Sequence, residues 1–153
     1  MAQGEPVLVS ACLLGRACRY DGRHNRDAAL ERELAAQGLA AILFCPEEHG
    51  ELGTPRPAAW IESRDAAAVL DGKSRVVTHE GRDVTAEFLR GAQGALDTCK
   101  VHAIRLALLK ERSPSCGVAT THVAGALTSG RGVTSELLHR HGIEVRGIEG
   151  RRE

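Results

Sequence analysis

Apolar positions along this chain fall into two rhythms. Val7-Leu8-Val9-Ser10-Ala11 is an unbroken apolar run that stops at Cys12 and the glycine of Leu13-Leu14-Gly15, as a buried strand does. Residues 27–37 are rich in Ala, Leu and Glu and stop at Gly38, which predicts a helix with a glycine end signal. Leu39-Ala40-Ala41-Ile42-Leu43-Phe44 then predicts a second buried strand ending at Cys45-Pro46. Residues 49–64 carry Gly50, Gly53, Pro55 and Pro57 and read as an irregular loop. Residues 75–84 suggest a small hairpin, with Asp83 placed to cap the next helix. In that helix Val84, Phe88, Leu89, Ala92, Ala95, Leu96 and Cys99 recur at helical spacing. Residues 103–109 supply a third strand, residues 132–141 a last helix closed by Gly142, and residues 143–145 a final strand.

Strands alternating with helices predict an α/β fold: an open, mostly parallel, Rossmann-like sheet with helices on both faces. With no low-complexity stretch or long linker, residues 1–153 read as one domain. Hydrophobic residues make up 42% but aromatic ones only 3%, so Ala, Val, Leu and Ile must build the core.

Lys plus Arg (20) balances Asp plus Glu (20), which removes the electrostatic footprint of a protein whose main partner is nucleic acid and favours a small substrate. The start, Met1-Ala-Gln-Gly-Glu-Pro, has no export signal, and no apolar run reaches membrane-spanning length; the expected location is the cytoplasm. Nothing in the chain specifies its oligomeric state.

Five cysteines, an odd number with no export signal, favour thiol or metal chemistry over a disulfide framework. Cys99 lies on an apolar helix face and reads as a core thiol. Cys12, Cys45 and Cys116 each follow a strand into a loop containing Gly or Pro, and carboxyl ends of parallel strands are where such sheets place their functional crevice. Those three are the expected metal ligands, with Cys18 close to the site without ligating. Three thiolates suit zinc with a fourth ligand, for which His49 is the nearest candidate, or an iron–sulfur cubane with one iron open as a Lewis acid. A phosphatase loop fails on spacing, since the sixth residue after Cys12 is Cys18 and Arg19 follows one later.

The segments Ser10-Ala11-Cys12-Leu13-Leu14-Gly15, Cys18-Arg19-Tyr20-Asp21-Gly22, Cys45-Pro46-Glu47, Thr54-Pro55-Arg56-Pro57, Gly81-Arg82-Asp83-Val84-Thr85 and Ser113-Pro114-Ser115-Cys116-Gly117 together resemble the thiouracil desulfidase family. The chain departs from that family's pattern over residues 120–131. The resemblance implies a 4Fe-4S cluster on Cys12, Cys45 and Cys116, and hydrolytic, non-redox removal of sulfur from 2-thiouracil or a related thiobase as hydrogen sulfide. It also implies Glu47 and Ser113 as the catalytic pair.

The residues support those roles on their own chemistry. Glu47, two positions after Cys45, is placed to activate water, with Glu48 competing for the role; Ser113 can orient substrate or relay a proton. Arg56, stiffened between two prolines, can hold a ring carbonyl or neutralise negative charge, and Ser115 is a further candidate for substrate contact. The rival reading is a non-enzymatic iron–sulfur or zinc module that senses redox state or metal.

Overall fold

Val7, Leu8 and Val9 are all buried because their strand is covered on both faces and both edges. In the computed structural model, which describes residues 4–153, this strand is β1 (Pro6–Ser10). It is followed by α1 (Ala28–Ala36), β2 (Ala40–Phe44), α2 (Pro46–His49), β3 (Ala59–Ile61), α3 (Ala66–Leu70) and β4 (Val76–Thr78). Then come α4 (Thr85–Val101), β5 (Leu106–Lys110), β6 (Thr120–Val123), β7 (Ala126–Ser129), α5 (Val133–Arg140) and β8 (Glu144–Ile148). The reading of the first three residues as free of an export signal lies outside the described residues. Among those described, no helix is long and apolar enough to cross a membrane.

β1, β2, β5 and β8 form one parallel sheet in the order β2-β1-β5-β8. Side chains alternate across it. Val7, Val9, Leu106 and Leu108 pack on Leu30 and Leu34 of α1, while Leu8, Ala107 and Leu109 pack on Leu96 and Cys99 of α4 and Leu138 of α5. The expected α/β sheet with helices on both faces is therefore present. β2 is not the buried strand its composition suggested: it is a sheet edge, and Leu43 is 44% exposed.

A second four-stranded sheet, in the order β4-β3-β6-β7, was not foreseen. β3 lies inside the stretch read as loop, pairs antiparallel with β4, and meets β6 in parallel through Ile61 and Val123. β6 and β7 form an antiparallel hairpin over residues 120–129. The expected hairpin at 75–84 shrinks to β4 and one bridge, Val77 to Asp83. Asp83 sits one residue before the N-cap position, which Val84 occupies, and its Oδ1 accepts the Thr85 N–H at 2.9 Å.

α4 joins the two sheets. Phe88 and Ala92 pack with Ile61, Val76 and Val133 against the second sheet, whereas Ala95, Leu96 and Cys99 face the first. Burial pushes the Cys99 thiol up to about 11, as suits a core thiol. Two glycines inside this helix, each costing about 1 kcal/mol relative to alanine, are required by close approach. A Cβ on Gly91 would stand 2.0 Å from the Pro46 carbonyl oxygen, and one on Gly94 would stand 2.3 Å from the His49 ring. The segment that follows Cys45 is thus seated directly on α4.

The turn after β5 is folded by one carboxylate. Glu111, 8% exposed, accepts through Oε1 from the backbone N–H groups of Val118 (2.9 Å), Ala119 (3.0 Å) and Thr120 (3.1 Å). Glu111→Ala strands these donors, and the expected loss is about 2–4 kcal/mol of stability, read as a lower urea midpoint at unchanged m-value.

Candidate metal centre and active site

From β1 the chain crosses through α1 to β2 on one side, while β5 pairs with β1 on the other, so the strand order reverses between β1 and β5. Crevices in such sheets open at the carboxyl ends of the strands flanking the reversal. Cys12 stands there in a 3-10 turn, Ala11–Leu14, immediately after β1. Cys45 follows β2 directly at the N-cap position of α2, and Cys116 lies in the turn after β5. All three line one cavity of about 700 Å³, together with Cys18, Glu47, Arg56 and Ser113.

Asn25 aims a donor at Cys12. Its Oδ1 accepts from Arg19 Nη1 (3.1 Å) and Arg151 Nε (3.2 Å), which fixes the amide so that Nδ2 donates to Cys12 Sγ at 3.3 Å. Hydrogen bonding from Cys18, with help from Asn25 and the Lys110 ammonium, holds the Cys12 thiol down to about 7 against the opposing effect of burial. Cys18 likewise lowers Cys45, while sharing its proton with these two sulfurs pushes Cys18 itself up. Burial pushes Cys116 up, partly offset by the Ser10 hydroxyl. Clustered thiols, two of them shifted down by their neighbours, and an N–H aimed at sulfur fit ligation of soft metal by thiolate, including an iron–sulfur cluster.

Beside the sulfurs lies an acid–base array. Ser113 Oγ accepts the N–H groups of Ser115 (3.1 Å) and Cys116 (3.0 Å), so its own proton is free to point at Glu47 Oε1, 3.5 Å away. Arg56, with a side chain 6% exposed, donates to Glu47 Oε2 at 2.7 Å, and also to the carbonyls of Gly53 and Cys18 and to Thr54 Oγ1. Its donors are committed to protein, so it positions Glu47 and the Cys18 loop. Lysine at this position, a point charge without the planar fork, could not hold Glu47 and these other acceptors together.

Glu48 is turned differently. Its Oε2 accepts from Thr54 Oγ1 at 2.6 Å, and Arg16 Nη2 lies 3.1 Å from Oε1. Ser115 is not brought to the cavity: it is 1% exposed and shares a hydrogen bond of 2.7 Å with Thr134 Oγ1. His49, the zinc ligand considered from spacing, packs its ring against Phe44 and Gly94, away from the thiols. Sequence reading missed Asn25, Lys110, Trp60 and His122, all of which line the cavity. Asn25 has no motif of its own and meets Cys12 only through a turn, and Trp60 reaches the wall from the unforeseen β3.

A parallel α/β sheet whose reversal-point crevice is lined by thiols from three strand ends defines a thiolate metal-site protein of the α/β class. Comparison with known proteins makes this specific. The family model for 2-thiouracil desulfurase matches residues 7–149, and the chain belongs to that family. It is similar to the uncharacterized protein YbbK of Bacillus subtilis (strain 168), at 36% identity over 142 residues, covering 91% of this chain and 93% of that protein. It is also similar to the solved structure of the [4Fe-4S]-dependent thiouracil desulfidase TudS, with 44% identity and a TM-score of 0.80, over 95% of this chain and 91% of that one.

Proposed function

We propose that this chain is a single-domain, 4Fe-4S-dependent desulfidase that converts 2-thiouracil or a related thiobase and water into the oxo base and hydrogen sulfide. Cys12, Cys45 and Cys116 hold the cluster. When bound by three cysteines, it supplies an iron without a protein ligand, a Lewis acid with affinity for sulfur.

The chain's own residues do the rest. Glu47, held through Oε2 by Arg56, keeps Oε1 toward Ser113 and the cavity. From there it takes a proton from the water that attacks the ring carbon. Ser113 fixes that carboxylate and carries a proton between Glu47 and the departing group. Trp60 supplies an apolar wall for a flat ring. Net charge near zero suits a free base better than an intact RNA, and free thiols suit the cytoplasm.

The observation that carries this reading is the Glu47–Ser113–Arg56 array on the same cavity as the thiols, which the sensor reading leaves without a task. Anaerobic protein with a full cluster should release sulfide and uracil from 2-thiouracil in equal amounts. Uracil without sulfide, or neither product from any thiobase, would count against the activity.

A further inference from the structure

Cys18 is 2% exposed and has no part in the proposed chemistry, yet its sulfur, the Cys45 sulfur and a Glu48 carboxylate oxygen all lie within 4.8 Å of one another. We propose that Cys18, Cys45 and Glu48 form a second, mononuclear site for a tetrahedral thiophilic divalent cation such as zinc, occupied when the cluster is absent.

The spacing favours one ion over a cluster. With Zn–S of about 2.3 Å and Zn–O of about 2.1 Å, donors around one tetrahedral zinc lie roughly 3.5–3.8 Å apart, within a small side-chain adjustment of the observed arrangement. Thiolates on a cubane each hold a different iron and must spread around it, so a Cys18–Cys45 pair is too compact to be two corners of one cluster.

Glu48 gives independent support. Its Oε1 is buried and accepts no hydrogen bond, with the half-exposed Arg16 guanidinium 3.1 Å away balancing its charge. Its Oε2 is held by Thr54, the kind of outer contact that orients a ligating carboxylate. The two sulfur-bearing loops are already tied, since the Cys18 carbonyl accepts from Arg56 and faces Cys45 Sγ at 3.8 Å. Cys12, which lines the same cavity, or water completes the tetrahedron. Binding releases one proton from each ligating thiol and changes no oxidation state.

Cys45 would serve both metals, so zinc and cluster exclude each other. That consequence rests on the assignment of Cys45 to the cluster; the zinc site does not.

The test is a zinc titration of the full chain, stripped of metal under anaerobic reducing conditions, against a chromophoric chelator. One zinc per chain is expected. Cys18→Ser should weaken binding more than about 100-fold and Glu48→Gln at least about 10-fold, while Cys116→Ser leaves it unchanged; circular dichroism checks that each variant is folded. Cobalt(II) in place of zinc should give a thiolate charge-transfer band that diminishes in Cys18→Ser. No stoichiometric zinc, or affinity insensitive to Cys18→Ser, or equal weakening by Cys116→Ser, would overturn the site. Zinc-loaded chain should take up no cluster from iron and sulfide until the zinc is chelated. Uptake as fast as in zinc-free chain would refute the exclusion while leaving the zinc site standing.

Discussion

Glu47→Gln is expected to slow desulfuration by about 100- to 10,000-fold, the range supplied by a positioned general base, while iron and acid-labile sulfide per chain stay at the wild-type level. Glutamine keeps the length and shape of the side chain, and its carbonyl oxygen can still accept from Arg56 while the amide NH2 takes the place of the oxygen that faces Ser113. What it loses is the ability to take a proton from water. A loss in kcat larger than any change in KM would place the effect in the transition state. Near-normal turnover by Glu47→Gln would assign the base to another group.

Cys116→Ser should cost more, because it removes one of the three proposed cluster ligands. The thiolate is the metal ligand, and a serine hydroxyl at this buried position does not replace it. Iron and sulfide content should fall to background and sulfide release with it. Cys99→Ser is the matched control. It puts a hydroxyl into the core between α4 and the parallel sheet, at a cost of about 1–3 kcal/mol in stability, and should leave the cluster content intact. Equal loss of iron in both variants would mean that unfolding, not ligation, explains the Cys116 effect.

The parts of this fold legible in sequence are those with a strong local signature. β1 is buried on both faces and so reads as an unbroken apolar run, and α4 is long enough to show its apolar spacing. Because Cys12 and Cys45 stand just beyond strands that both read as apolar runs, although β2 is an edge strand, their convergence is legible in the sequence. The second sheet was hidden because β3, β6 and β7 are three or four residues long and their pairing is set by partners distant in the chain. The same blindness concealed Trp60 and His122, which reach the cavity from those strands.

Glu47 and Glu48 could not be separated as neighbours in sequence. The short helix α2 separates them, since consecutive helical residues point about 100° apart, turning Glu47 to the cavity and Glu48 to Thr54 and Arg16. Ser115 illustrates the converse. Two positions from Ser113 in the same motif, it turns inward to Thr134 and serves the packing of α5. Asn25 shows what motif reading omits, since its hold on Cys12 depends on two arginines, one of them near the far end of the chain.

If these thiols carry an iron–sulfur cluster on which the desulfuration depends, anaerobic reconstitution of metal-free protein should restore iron and acid-labile sulfide together with sulfide release from 2-thiouracil. The expected result is about four of each per chain, a broad visible absorption, and activity rising in proportion to cluster content. A folded chain that takes up neither iron nor sulfide, or one that desulfurates equally well without them, would rule the cluster out as the cofactor.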